Sequence, residues 1–103
     1  MDSQLCLKNV ANLQEIYESL QSKESGVLNI TREQNGAIQE AFIAYIYKMR
    51  DMGVTCQELV TKFYPTIRSR NIILKIQRRE WWPMNNYVIF KILEKLVEVY
   101  QKC

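Results

Sequence analysis

The stretch from Thr31 to Leu59 reads TREQNGAIQEAFIAYIYKMRDMGVTCQEL. Thr31 and Gln34 have the spacing of a capping box, in which a hydroxyl accepts the N–H three residues on and the amide side chain reaches back. Gly36 weakens the first turn. From there Ile38, Phe42, Tyr45, Met49 and Met52 recur at intervals of three and four and form one apolar stripe. Ile43, Ile46 and Tyr47 widen the apolar surface beyond that stripe, which predicts the central helix of a bundle. Gly53 supplies a C-terminal stop, and Thr55 with Glu58 forms a second capping box directly after it. Helix, stop and new helix therefore follow one another with almost no spacer, which points to an all-α protein.

The same periodicity extends in both directions. Residues 4–22 form an amphipathic pattern through Cys6, Val10, Leu13, Tyr17 and Leu20, closed by Ser25-Gly26. Val27, Leu28 and Ile30 follow, either as a short extended piece or as packing residues of a loop. After Thr55, a short helix carries Leu59, Val60 and Phe63 and ends at Tyr64-Pro65, because a residue before proline is pushed out of helical geometry. Thr66 or Ser69 caps the next element, predicted over residues 67–81. Its Ile72, Ile73 and Ile76 share one face, while Arg68, Asn71, Lys75, Arg78 and Arg79 lie on another. The run from Asn71 to Ile76 also suits a strand on β-propensity, but helix is preferred because its neighbours are helical and the cations then align. Trp81-Trp82-Pro83 breaks the chain, and Asn85 or Asn86 caps a last helix reaching nearly to the end. Its stripe is Ile89, Ile92, Leu96, Val99 and Cys103, with Leu93 and Tyr100 beside it. Phe90 and Val97 lie off that stripe, and a face left over in so small a domain predicts a possible homodimer.

Composition sets the limits. A chain of 103 residues, 48% hydrophobic and 24% charged, is sized for one core. The expected architecture is a single compact bundle of about five helices over residues 1–103. No apolar run reaches the roughly 18 residues that span a bilayer, so no membrane partner is expected. The N-terminal residues lack the basic start and apolar core of a signal peptide, which predicts an intracellular protein. On that reading the sequon at Asn29-Ile30-Thr31 is a chance match.

Chemistry is narrowed by elimination. The chain contains no histidine, so the usual Ser/His/Asp and Cys/His machinery cannot be assembled. No glycine-rich phosphate loop and no paired carboxylates stand out. Cys6, Cys56 and Cys103 are scattered and cannot complete a tetrahedral Cys/His site; they read as reduced thiols. The expectation is a protein that is not an enzyme and uses no metal or other cofactor.

Charge is the informative feature. The net charge is only +3, yet residues 1–60 carry five Lys/Arg against eight Asp/Glu, and residues 61–103 carry nine against three. Lys62, Arg68, Arg70, Lys75, Arg78 and Arg79 occur between Leu59 and Arg79 with no acidic residue among them. Trp81 and Trp82 follow, one expected to pack inward and one outward, and Trp with Arg is a favoured pairing at binding hot spots. Three readings are open for this segment. It is a solvated helix face, a dock for an acidic or phosphorylated peptide that arginine grips through paired hydrogen bonds, or a phosphate-backbone contact for nucleic acid. The second is preferred, with an acidic, partly disordered protein segment as partner and nucleic acid as the alternative.

Two resemblances bear on this choice. Met49-Arg50-Asp51-Met52-Gly53-Val54-Thr55-Cys56-Gln57-Glu58-Leu59 resembles a stretch of the N-terminal domain of transcription elongation factor TFIIS and its relatives, among them elongin A, a Mediator subunit and the integrase-binding domain of LEDGF. Met49, Met52, Val54, Thr55 and Leu59 occupy the pattern positions. Thr66-Ile67, Leu74-Lys75 and Ile92-Leu93-Glu94-Lys95-Leu96 extend the similarity over roughly residues 37–102. It implies a four- or five-helix bundle that binds short disordered motifs of transcription or chromatin proteins in the nucleus. Separately, Gly53-Val54-Thr55 with Gln57-Glu58-Leu59-Val60 looks like the opening of a helix-turn-helix, which would make residues 67–80 a DNA-recognition helix.

Overall fold

The computed structural model describes residues 11–21 and 30–100, which form five α-helices and, among the described residues, no strand. They are α1 (Ala11–Gln21), α2 (Arg32–Asp51), α3 (Cys56–Phe63), α4 (Arg70–Gln77) and α5 (Asn86–Tyr100). The architecture is an all-α bundle in which α2 packs against α1, α4 and α5, α1 also against α5, and α3 against α4. The expected first turns of the N-terminal helix, the Val27–Leu28 segment, Cys6 and Cys103 lie outside the described residues.

Both capping boxes form. The Thr31 hydroxyl accepts from the Gln34 N–H at 3.0 Å while the Gln34 side chain accepts from the Thr31 N–H at 3.0 Å. Thr55 and Glu58 repeat the exchange at 3.2 and 3.0 Å. The end of α2 is a Schellman turn: the Gly53 N–H donates to the Arg50 carbonyl at 3.0 Å and the Val54 N–H to that of Met49 at 2.9 Å. Gly53 sits at φ 93°, a left-handed conformation that glycine enters without side-chain strain.

The core follows the predicted stripes, with instructive departures. Ile38, Phe42, Tyr45 and Ile46 of α2 are buried against Ile89, Ile92, Leu93 and Leu96 of α5. Phe42 meets Phe63 of α3 at a ring separation of 4.8 Å, and Tyr45 reaches the edge of the same ring at 5.9 Å. Met52, expected on the stripe, is 57% exposed, because it is the cap residue from which the chain turns away. Tyr47, expected to widen the apolar face, is also exposed.

The largest correction is α4. The prediction of residues 67–81 shrinks to Arg70–Gln77. Ser69 caps it, its hydroxyl accepting the Asn71 N–H at 3.2 Å. Ile67 is buried outside the helix, as an anchor of the connection whose N–H donates to the Phe63 carbonyl at 3.0 Å. A second Schellman turn closes α4: the Arg79 N–H donates to the Ile76 carbonyl at 3.0 Å and the Glu80 N–H to that of Lys75 at 2.8 Å. The left-handed position of this turn is occupied by Arg79 at φ 61° rather than by glycine, which is why no sequence signal marks the stop.

The last helix begins where expected, with the Asn85 side chain accepting from the Tyr87 and Val88 N–H groups. Its second face does not remain free. Phe90 stacks on Tyr17 of α1 at 5.7 Å, and Val97 is buried. Of the apolar surface that motivated a homodimer, Val97 is thus covered within the chain and Phe90 in part. None of the described helices is long and apolar enough to cross a membrane.

Candidate interaction surface

The basic segment splits into two groups with different roles. Arg79 is consumed by the fold. Its left-handed backbone turns the side chain back to α2, where Nη2 meets Glu40 Oε1 at 2.8 Å and Nη1 meets Oε2. The Arg79 hydrogen bond, aided by its charge, holds the Glu40 carboxyl below its ordinary pKa. Arg78 caps α4 and pairs locally with Glu80 at 3.2 Å. The expectation of six cations without a counter-charge therefore fails for these two.

Arg78 and Arg79 are themselves exposed, so pairing and not burial sets the remaining cations apart. Lys62 of α3, Arg68 of the connection, and Arg70 and Lys75 of α4 are exposed, and no carboxylate lies within ion-pair distance of them among the described residues. Burial of Ile73 and Ile76 fixes the rotation of α4, and Asn71, Lys75 and Arg78 occupy the opposite arc of its circumference, with Arg70 at the margin of that arc. Arg70 is the first residue of α4, and the first turn contains no acidic side chain. Positive charge there adds to the partial positive charge of the helix N-terminus, so this end of α4 attracts anions and opposes other cations. Arg68 is oriented by two contacts: its Nε donates to the Pro65 carbonyl at 3.1 Å, and its guanidinium lies 5.9 Å from the Tyr64 ring centroid.

The tryptophans divide as expected. Trp82 turns inward, its ring 6.3 Å from Phe42 and its indole N–H donating to Asn35 Oδ1 at 2.6 Å. Trp81 is 38% exposed. Trp82 is therefore a partly buried residue packed against the core that ties the 81–85 connection to α2, and Trp81 is the more outward of the two.

Other exposed apolar groups escaped the sequence reading. Tyr64, Met84 and Tyr87 are 63%, 88% and 59% exposed. Tyr87 had a signal, since it falls off the stripe of the last helix. Tyr64 was legible only as a helix terminator, and nothing local placed its ring outside. Cys56, at the first position of α3, is a free thiol that accepts from Arg50 Nη1 at 3.0 Å. Among the described residues no group of three or more Cys, Asp or Glu could hold a metal ion.

The α3–α4 unit can be compared with a helix-turn-helix on geometry. Residues 64–69 separate the two helices, against three or four in the tight turn of that motif. Its second helix has eight residues. Comparison with protein-family models, with curated proteins and with solved structures returns no match.

Proposed function

We propose that this chain is a non-enzymatic helical interaction module that binds an acidic, partly disordered segment of a protein partner through the outer surface of α3 and α4. The observation that carries the reading is the set Lys62, Arg68, Arg70 and Lys75, exposed together on consecutive elements without a carboxylate partner. A surface with four unpaired cations, against Glu58 on α3, adjoining exposed aromatic rings recognises an anion that also offers apolar contacts, and arginine adds paired hydrogen bonds to carboxylates. The absence of histidine from the sequence supports a role without acid–base or nucleophilic catalysis. The resemblance of residues 49–59 to the TFIIS N-terminal domain leads us to propose a setting in transcription or chromatin, in the nucleus.

The test uses a short Asp/Glu-rich peptide and a duplex DNA, titrated side by side with the wild-type chain and with the Arg70→Glu, Lys75→Glu double variant. The peptide is expected to bind the wild type and to lose most of its affinity for the variant. Tight duplex binding that falls steeply with salt, without peptide binding, would replace this reading by a nucleic-acid one. Equal binding of the peptide to wild type and variant would refute the surface.

A further inference from the structure

A groove of about 550 Å³ opens between the α3–α4 connection and α5. Phe63, Tyr64 and Pro65 form one wall, and Tyr87, Val88 and Lys91 the other. Tyr64 and Tyr87 stand more than half exposed on its two sides. Large aromatic rings held open around an apolar cleft are the usual make-up of a site for a side-chain anchor.

The charges around the groove are unequal at its two edges. Along α5, Lys91 pairs with Glu94 at 3.5 Å and Lys95 with Glu98 at 3.4 Å, so this wall is balanced. Lys91 also lies 5.3 Å from the Tyr87 ring centroid. On the opposite wall, Tyr64 carries the Arg68 guanidinium, and Arg70 follows without a carboxylate partner among the described residues. Tyr64 thus belongs both to the groove and to the cationic surface. The groove is lined on its α5 side by Lys91, Glu94, Lys95 and Glu98, whose charges balance, so an occupant leaving past Tyr64 passes from no net charge onto the positive charge of Arg68 and Arg70.

We infer that this groove holds the apolar anchor of an acidic peptide, whose carboxylates run from the anchor across Tyr64 to Arg68 and Arg70. The inference rests on the function proposed above and names where the partner is gripped and what it must contain: one large aromatic or branched aliphatic side chain beside a run of Asp or Glu. Charge complementarity selects this occupant. A basic segment would be repelled by Arg68 and Arg70, and a neutral one would leave both without a partner.

The experiment uses two fluorescein-labelled Asp/Glu peptides that differ only in a central Phe or Ala, titrated by anisotropy into the full chain. The Phe peptide is expected to bind the wild type roughly tenfold more tightly, the size of one modest hot-spot contact. Thr66→Trp, which fills the groove, and Tyr87→Ala, which removes a wall, are expected to abolish that preference, so that the Phe and Ala peptides bind each variant equally. Circular dichroism confirms folding, and Tyr87→Ala, at an exposed position, decides the matter if Thr66→Trp does not fold. Equal affinity of the wild type for both peptides overturns the groove. So does a preference that survives in a folded groove variant. If both peptides bind equally and both weaken with Arg70→Glu, Lys75→Glu, the groove fails and the proposed function stands. If neither peptide binds, both fail.

Discussion

Arg79 adopts the left-handed conformation at the end of α4 and from it places both guanidinium Nη groups on the Glu40 carboxylate of α2, 39 positions away in sequence. A strained backbone position and a pair between helices are thus combined in one residue. The two effects can be separated by substitution. A left-handed non-glycine residue costs about 1 kcal/mol, whereas the exposed pair with Glu40 is weakened by solvent screening. Arg79→Ala loses the pair and keeps the strain; Arg79→Gly loses the pair and removes the strain. Glycine is expected to be more stable than alanine here by about 1 kcal/mol in urea unfolding, the reverse of their order inside a helix. An alanine variant as stable as the glycine one would contradict the left-handed turn.

The two adjacent tryptophans should differ sharply. Trp82→Ala removes a ring packed on Phe42 and leaves Asn35 without its indole donor; the expected loss is about 3 kcal/mol. Trp81→Ala removes a more exposed ring and should cost no more than about 0.5 kcal/mol. Denaturant midpoints of the two variants measure this, and similar losses would show the inward and outward assignments to be mistaken.

Glycine offers a second contrast. A Cβ built at Gly36, inside α2, meets nothing within 4 Å, so Gly36→Ala is expected to stabilise the chain by about 0.5–1 kcal/mol. Gly53 also has open space, but at φ 93° an alanine is strained, and Gly53→Ala is expected to destabilise by about 1 kcal/mol. Thermal midpoints should move in opposite directions. Movement in the same direction would count against the Schellman turn.

Acid should weaken the fold through two carboxyls. The hydrogen bond from Arg79 lowers the pKa of Glu40, and the backbone and hydroxyl hydrogen bonds of Thr55 lower that of Glu58. A carboxyl whose pKa is depressed in the folded state contributes stability in full above its unfolded value, about 4.3. That contribution is lost as pH falls through the folded value. The urea midpoint should therefore show no loss from these groups near neutrality and should decline below about pH 4. Glu40→Gln should make the acid limb shallower. An unchanged limb in that variant would show that Glu40 is not linked to folding.

The parts legible in the sequence are those decided by neighbours three or four residues apart. Thr31 with Gln34, Thr55 with Glu58, Gly53 and the apolar stripes act within one helical turn, so side-chain chemistry and spacing were enough to place the starts of α2, α3 and α5 and most of the core. The end of α4 was not legible, because its turn uses an arginine whose compensation comes from Glu40 on another helix. The candidate surface divides in the same way. Sequence showed that residues 62–79 are basic, but only tertiary packing engaged Arg79 with Glu40 and Trp82 with Asn35 and left Lys62, Arg68, Arg70 and Lys75 without a carboxylate. It also turned Tyr64 and Tyr87 outward on either side of one groove. Charge is a property of the residue, whereas whether a charge or a ring is already engaged depends on what the folded chain brings beside it.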